Sequence, residues 1–126
     1  MKLSEAILLG SIGTEQAFGV LKTTDGRTCA LGAAMTAMGM NLEGLDELTR
    51  WKLFRDIASC WPVTKVHAQC PACNWGPVTV EAGIWHLNDK HGWPRPQIAA
   101  WVATLEEHIE SQSVQETPNA LSCPGQ

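Results

Sequence analysis

Apolar residues along this chain recur in runs with helical spacing, broken by glycine or proline. Ile7 and Leu8 form a short apolar patch behind Ser4, which is placed to cap a helix that Gly10 ends. Thr14 is placed to cap a further turn through Ala17. Val20 to Thr23 leads into Asp25-Gly26, a pair that favours a tight hairpin turn. Residues 28–38 read as a helix of small residues, Ala30, Gly32, Ala33, Ala34 and Ala37, which lets another element approach closely; Gly39 is its stop. Between Leu42 and Ser59, Leu45, Leu48, Trp51, Phe54 and Ile57 recur every third residue, with Leu53 and Ala58 widening the surface, and predict a helix that Pro62 closes. Residues 63–66 and 78–80 read as short strands, and 81–90 as a helix. Pro96 suits the first turn of a last helix, whose stripe is Ile98, Trp101, Val102, Leu105 and Ile109. The polar stretch 112–126, with Pro118 and Pro124, reads as a disordered tail. The expected fold is α+β and mainly helical. A helical N-terminal region, 1–62, packs with a zinc-stapled β-hairpin and two C-terminal helices over 63–111, as one domain.

The chemistry concentrates in Cys70-Pro71-Ala72-Cys73, followed after twelve residues by His86 and after four more by His91. Thiolates and imidazoles in this order and spacing suit one tetrahedral structural zinc ion. A chance Cys-x-x-Cys near two surface histidines is the bland alternative, and four ligands in sequence weigh against it. His86 and His91 lie five apart, about 140° around an ideal helix. They meet on one metal only if the helix ends between them, and Gly92 supplies that ending. His67, three residues before Cys70, is an alternative to one histidine.

The pattern resembles the two-Cys two-His zinc finger, over Cys70 to His91 only. That family has an aromatic residue four positions after the second cysteine and a leucine three before the first histidine. Here those positions are Pro77 and Gly83. Trp75, Val78, Val80, Ile84 and Leu87 must therefore pack on the rest of the chain, above all on the last helix. The family's base-reading positions fall on Thr79, Ala82 and Trp85, none of which offers a bidentate donor, and one finger reads only about three base pairs. A second likeness runs through His86-Leu87-Asn88-Asp89-Lys90-His91-Gly92-Trp93, Ile98-Ala99-Ala100-Trp101-Val102 and the stretch from Asp25 to Ala33. These segments are similar to ones in small uncharacterised phage and bacterial proteins. The likeness implies a phage or prophage accessory protein, in the host cytoplasm if phage-encoded.

Composition adjusts this picture. All six tryptophans lie between positions 51 and 101, so aromatic packing is expected there. A net charge of −4 argues against coating nucleic acid. Arg50, Lys52 and Arg55, with Lys65 beyond, are the one basic concentration: a solvated helix face, or a contact for nucleic acid or an acidic protein. No targeting segment is visible, and no apolar run approaches the ~18 residues a membrane span needs. An odd number of cysteines, five, suggests a reducing, cytoplasmic setting rather than a disulfide framework.

Cys29 opens a helix, where the dipole can activate a thiol. The only free bases are His67 and His108, so a buried packing role is favoured. Cys60 is expected to be buried, and Cys123 to be an incidental thiol in the tail. Asn88 and Asp89 either orient an imidazole or sit in water. Arg95, beside Trp93, either contacts a partner or simply begins a helix. No paired carboxylates, phosphate loop or nucleophile elbow is present. Four protein ligands leave zinc no open position, which makes a hydrolase the weakest reading. The expected function is non-enzymatic: a zinc-stabilised module that binds another protein, a host protein included. The alternative is a nucleic-acid-associated regulator using Arg50, Lys52 and Arg55.

Overall fold

The alanine-rich stretch becomes the centre of the molecule. Helix α2 (Ala30–Ala37) buries Ala30 through Met35 without interruption, and Cys29 is its N-cap. Its small residues bring backbones together. A methyl group added at Gly10 of α1 (Leu3–Ser11) would sit 1.8 Å from the Ala33 carbonyl oxygen, and one at Gly32 would sit 1.9 Å from that of Leu21. Only hydrogen fits at either position. The computed structural model describes residues 1–112. After α1 and α2 come α3 (Glu47–Ala58), a 3-10 turn (Pro62–Lys65), β1 (His67–Ala68), β2 (Val78–Thr79), α4 (Val80–Asp89) and α5 (Arg95–Gln112). This is a mainly helical α+β fold, as the sequence predicts. Beyond Gln112, which ends α5, the expected tail lies outside the described residues, as does Cys123.

Several local expectations are corrected. Ser4 does not cap α1; Lys2 does. The Ser4 hydroxyl instead donates to the buried Glu106 carboxylate of α5 at 2.5 Å, and its backbone N–H donates to the other oxygen at 3.2 Å. This pair helps seat α5, whose main neighbour is α1 rather than the metal-bearing hairpin. Helix α3 starts five residues later than expected. Leu42 and Leu45 continue the three-residue spacing, but Gly44 between them takes φ 74°, and Asp46 caps the helix by accepting from Thr49 N–H at 2.9 Å. Leu42 is still buried, as a loop residue. Residues 63–66 are not a strand. Pro62 starts a 3-10 turn, and the Thr64 hydroxyl donates to the Trp61 carbonyl at 2.8 Å. The strand follows at His67–Ala68 and pairs antiparallel, His67 with Thr79 and Ala68 with Val78.

The Asp25-Gly26 turn forms as expected, closed by Thr23 N–H to the Arg27 carbonyl at 2.8 Å. The turn expected from Thr14 to Ala17 is instead an irregular segment that pairs with Thr28 through Gln16. One apolar cluster then runs through the described residues. It joins Leu3 and Ile7 of α1, Leu31 and Met35 of α2, Phe54 and Trp61, Val80, Ile84 and Leu87 of α4, and Ile98 and Val102 of α5. No helix among the described residues is long and apolar enough to cross a membrane.

Candidate metal centre

The hairpin loop is built to turn two sulfurs the same way. Cys70 N–H donates to the Trp75 carbonyl at 3.0 Å, closing the loop. The Gln69 side chain donates to the carbonyls of Trp75 at 2.9 Å and Cys73 at 3.3 Å, bracing it from outside. Ala72 N–H points at Cys70 Sγ, 3.3 Å away. Gly76, at φ 119°, lets the chain return beneath Ala68 before the cis Gly76–Pro77 bond and β2.

Thr79 then caps α4 by accepting from Ala82 N–H at 3.3 Å, and the helix carries His86 to the sulfurs. The helix ends at Asp89, His91 N–H reaches back to the His86 carbonyl at 3.3 Å, and Gly92 takes φ 62°. This is the ending that two histidines five apart require. It turns both imidazoles to one point.

The four ligand atoms of Cys70, Cys73, His86 and His91 lie within 4.8 Å of one another, and they form the one such cluster among the described residues. His86 Nε2 lies 3.1 Å from His91 Nε2 and 3.4 Å from Cys73 Sγ. In a zinc tetrahedron the corresponding edges are about 3.3 to 3.8 Å, so these separations fit a shared ion, and the widest needs a closure of about 1 Å. An imidazole nitrogen carries one proton or one lone pair, and so cannot hydrogen-bond fully to both neighbours. A cation between them resolves the crowding. Burial, then the electrostatic influence of the neighbouring His91 and Lys90, hold the His86 pKa below its ordinary value, the direction that favours the neutral, ligating ring. The four residues can therefore hold a metal ion, and the donor set is that of zinc.

Trp75 stacks on His86 with ring centroids 4.3 Å apart and planes 25° from parallel. The sequence has Trp75 packing on the rest of the chain, above all on the last helix, but it is 43% exposed and lies on the His86 ring instead. An aromatic two residues beyond the second cysteine is the only sequence signal for this. His67 is exposed on β1 and is not part of the cluster.

The missing finger leucine has a structural reason. A methyl group at Gly83 would lie 2.9 Å from the indole of Trp101, so a residue from α5 occupies the space the leucine fills in a free-standing finger. The would-be base-reading face is also committed. Thr79 is a cap, and Trp85 meets Trp51 of α3 edge to face at 5.3 Å.

Other candidate residues turn inward. Arg50 is buried and donates to the Leu42 and Lys22 carbonyls, so it is no part of a basic face. Arg95 is buried too, holding Thr14, Thr28 and Ser11 from the start of α5. Asn88 is fully buried. It accepts from Gln16 and from Ala30 N–H, and donates to the Ala17 carbonyl, tying α4 to the N-terminal half rather than to a histidine. Asp89 accepts from Gly19 N–H at 3.0 Å and likewise orients no imidazole. Sequence reading missed these ties because a polar residue next to a ligand looks the same whichever way it faces.

Cys29 is buried, its thiol pushed up to about 12 by desolvation, and is inert packing. Cys60 is half-buried and disulfide-bonded, which removes one support for the expected reducing setting. No family model matches this chain, and no curated protein or solved structure does either.

Proposed function

We propose that the chain is a zinc-stabilised protein-interaction module, non-catalytic, of phage or bacterial origin and working in the cytoplasm as an accessory or regulatory protein. The observation that carries this reading is the surface beside the metal centre. Where a DNA-reading finger carries donors, Ala82 and Trp85 join Leu48, Trp51, Arg55 and Glu81 in an open, largely apolar groove. Leu48 is 65% exposed there, the kind of surface that a partner's apolar side chain covers. Lys52 and Arg55 are exposed on the same helix and take part in none of the ion pairs among the described residues, which suits an acidic group on the partner. Cys70, Cys73, His86 and His91 supply all four zinc ligands, which leaves no position for a reacting water.

The test is affinity capture from bacterial lysate with the wild-type chain and with Leu48→Glu and Arg55→Glu. A protein captured by wild type and lost with both variants, at unchanged metal content, supports the reading. Equal capture by all three removes the groove from it. Arg50 is turned inward, so a nucleic-acid-associated regulator rests on Lys52 and Arg55 alone. Binding to DNA or RNA that falls steeply with salt and disappears in Lys52→Ala/Arg55→Ala would favour that second reading.

A further inference from the structure

A polar cleft shares no lining residue with the apolar groove beside the metal centre and contains none of the four metal-site residues. It opens between the turn around Asp25-Gly26 and the loop before α3, and measures about 360 Å³, within the range of small-molecule sites. Lys22, Thr24, Glu43, Leu45 and Arg50 are among the residues that line it. Two cations converge there, and neither is a surface side chain: Arg50 is 10% exposed and Lys22 14%. Cations so far withdrawn from water need an anion close by, and the protein supplies only loose ones. Lys22 Nζ lies 3.5 Å from the carboxylate of Glu43, itself 66% exposed, and Arg50 Nη1 lies 3.5 Å from Glu47. Charge-assisted hydrogen bonds are closer, about 2.7–2.9 Å. The other Glu47 oxygen is already engaged by Leu21 N–H and the Trp51 indole N–H.

The guanidinium shows where an anion fits. Arg50 Nε donates to the Leu42 carbonyl at 3.1 Å, and Nη1 to the Lys22 carbonyl at 2.6 Å. Nη2 has no partner among the described residues. No side-chain nitrogen sealed from solvent among them lacks a partner, so solvent reaches Nη2, and Arg50 meets solvent at this cleft. We propose that the cleft binds a small organic carboxylate, held by Arg50 Nη2 and Lys22 Nζ with its carbon body against Leu45. Lys22 and Arg50 against the one lining acid, Glu43, leave a single positive charge. That balance suits a carboxylate monoanion better than a phosphate dianion. Glu43 competes for Lys22 and yields to the ligand.

The experiment uses the full chain, loaded with zinc. It is titrated at constant ionic strength with benzoate, acetate and inorganic phosphate, and read by NMR shifts of the backbone amides and the Arg50 side chain. Benzoate should give saturable shifts at 22–24, 43–45 and Arg50. Acetate, which leaves Leu45 uncovered, should bind more weakly, and phosphate most weakly. Lys22→Met keeps the buried stem and should weaken benzoate binding about tenfold. Glu43→Gln removes the competing carboxylate and should strengthen it several-fold, an outcome that a purely structural role for the two cations does not produce. No saturable shift with any of the three probes, the same shifts with sodium chloride, or unchanged affinity in Lys22→Met overturns the proposal. Phosphate binding more tightly than benzoate overturns the carboxylate assignment.

Discussion

In the packed core, Leu3, Ile7, Leu31 and Ile98 have no exposed surface, whereas every residue from Pro71 to Pro77 is exposed. The two regions lie in one chain and obey different rules. The core of α1, α2 and α5 is ordered by apolar burial and by backbones that touch at Gly10 and Gly32. The loop of the hairpin buries almost nothing and depends on the Gln69 brace, the N–H groups around Cys70 and the ligand cluster. Small segments without a core of their own need a metal or a cross-link for order. A lesion in one region should therefore have a different signature from a lesion in the other.

The largest separation is expected from Cys70→Ser. Structural zinc binding is worth about 10–16 kcal/mol in small finger peptides. Loss of a ligand should abolish metal retention and let the amides of 67–79 exchange freely. The amides of α1, α2 and α5 should stay protected. Collapse of protection across all helices would show that the two regions are a single cooperative unit.

Gly10→Val makes the reverse case. A Cβ 1.8 Å from the Ala33 oxygen forces α1 away from α2. We expect about 3 kcal/mol of lost stability in denaturant unfolding, with metal content at wild-type level in the folded protein.

Trp101→Ala probes the seam. Its indole lies on Gly83 of α4, but it is only partly buried. The cost should be about 2–3 kcal/mol, below the range for a fully buried aromatic, with faster metal release to a chelator. Unchanged release would place the seam elsewhere. Leu48→Ser should change stability by no more than about 0.5 kcal/mol, because the side chain is 65% exposed. A larger loss would mean that the groove belongs to the core.

The same contrast explains what could be read in advance. The cluster was legible because metal geometry constrains spacing directly: Cys70, Cys73, His86 and His91 come together as a possible metal site, and Gly92 ends the helix as two histidines five apart require. That some element would approach α2 closely was legible in the small residues from Ala30 to Ala37; that it is α1 was not. Illegible features depend on which distant residue lies opposite. The stripe on α5 was real, with Ile98 and Val102 fully buried, but α1 is its main partner. Arg50 and Arg95 looked like surface charges and are buried donors to backbone carbonyls. Leu42 and Leu45 mimicked a helical repeat that Gly44 and the Asp46 cap overrule. Trp75 looked like a residue that packs on the last helix, because tryptophan usually seeks burial. Here the ring lies flat on a ligand histidine.

Metal content, measured on full-length protein purified without chelators, tests the central claim most directly. One zinc per chain is expected, as a single tetrahedral four-ligand site requires. Cobalt substitution should give the intense visible absorption of a tetrahedral thiolate–imidazole site. Cys73→Ser and His91→Ala should lose the metal, and Cys29→Ala should keep it. A chain that folds with no bound metal, or one that loses its zinc in Cys29→Ala, would contradict the assignment of Cys70, Cys73, His86 and His91.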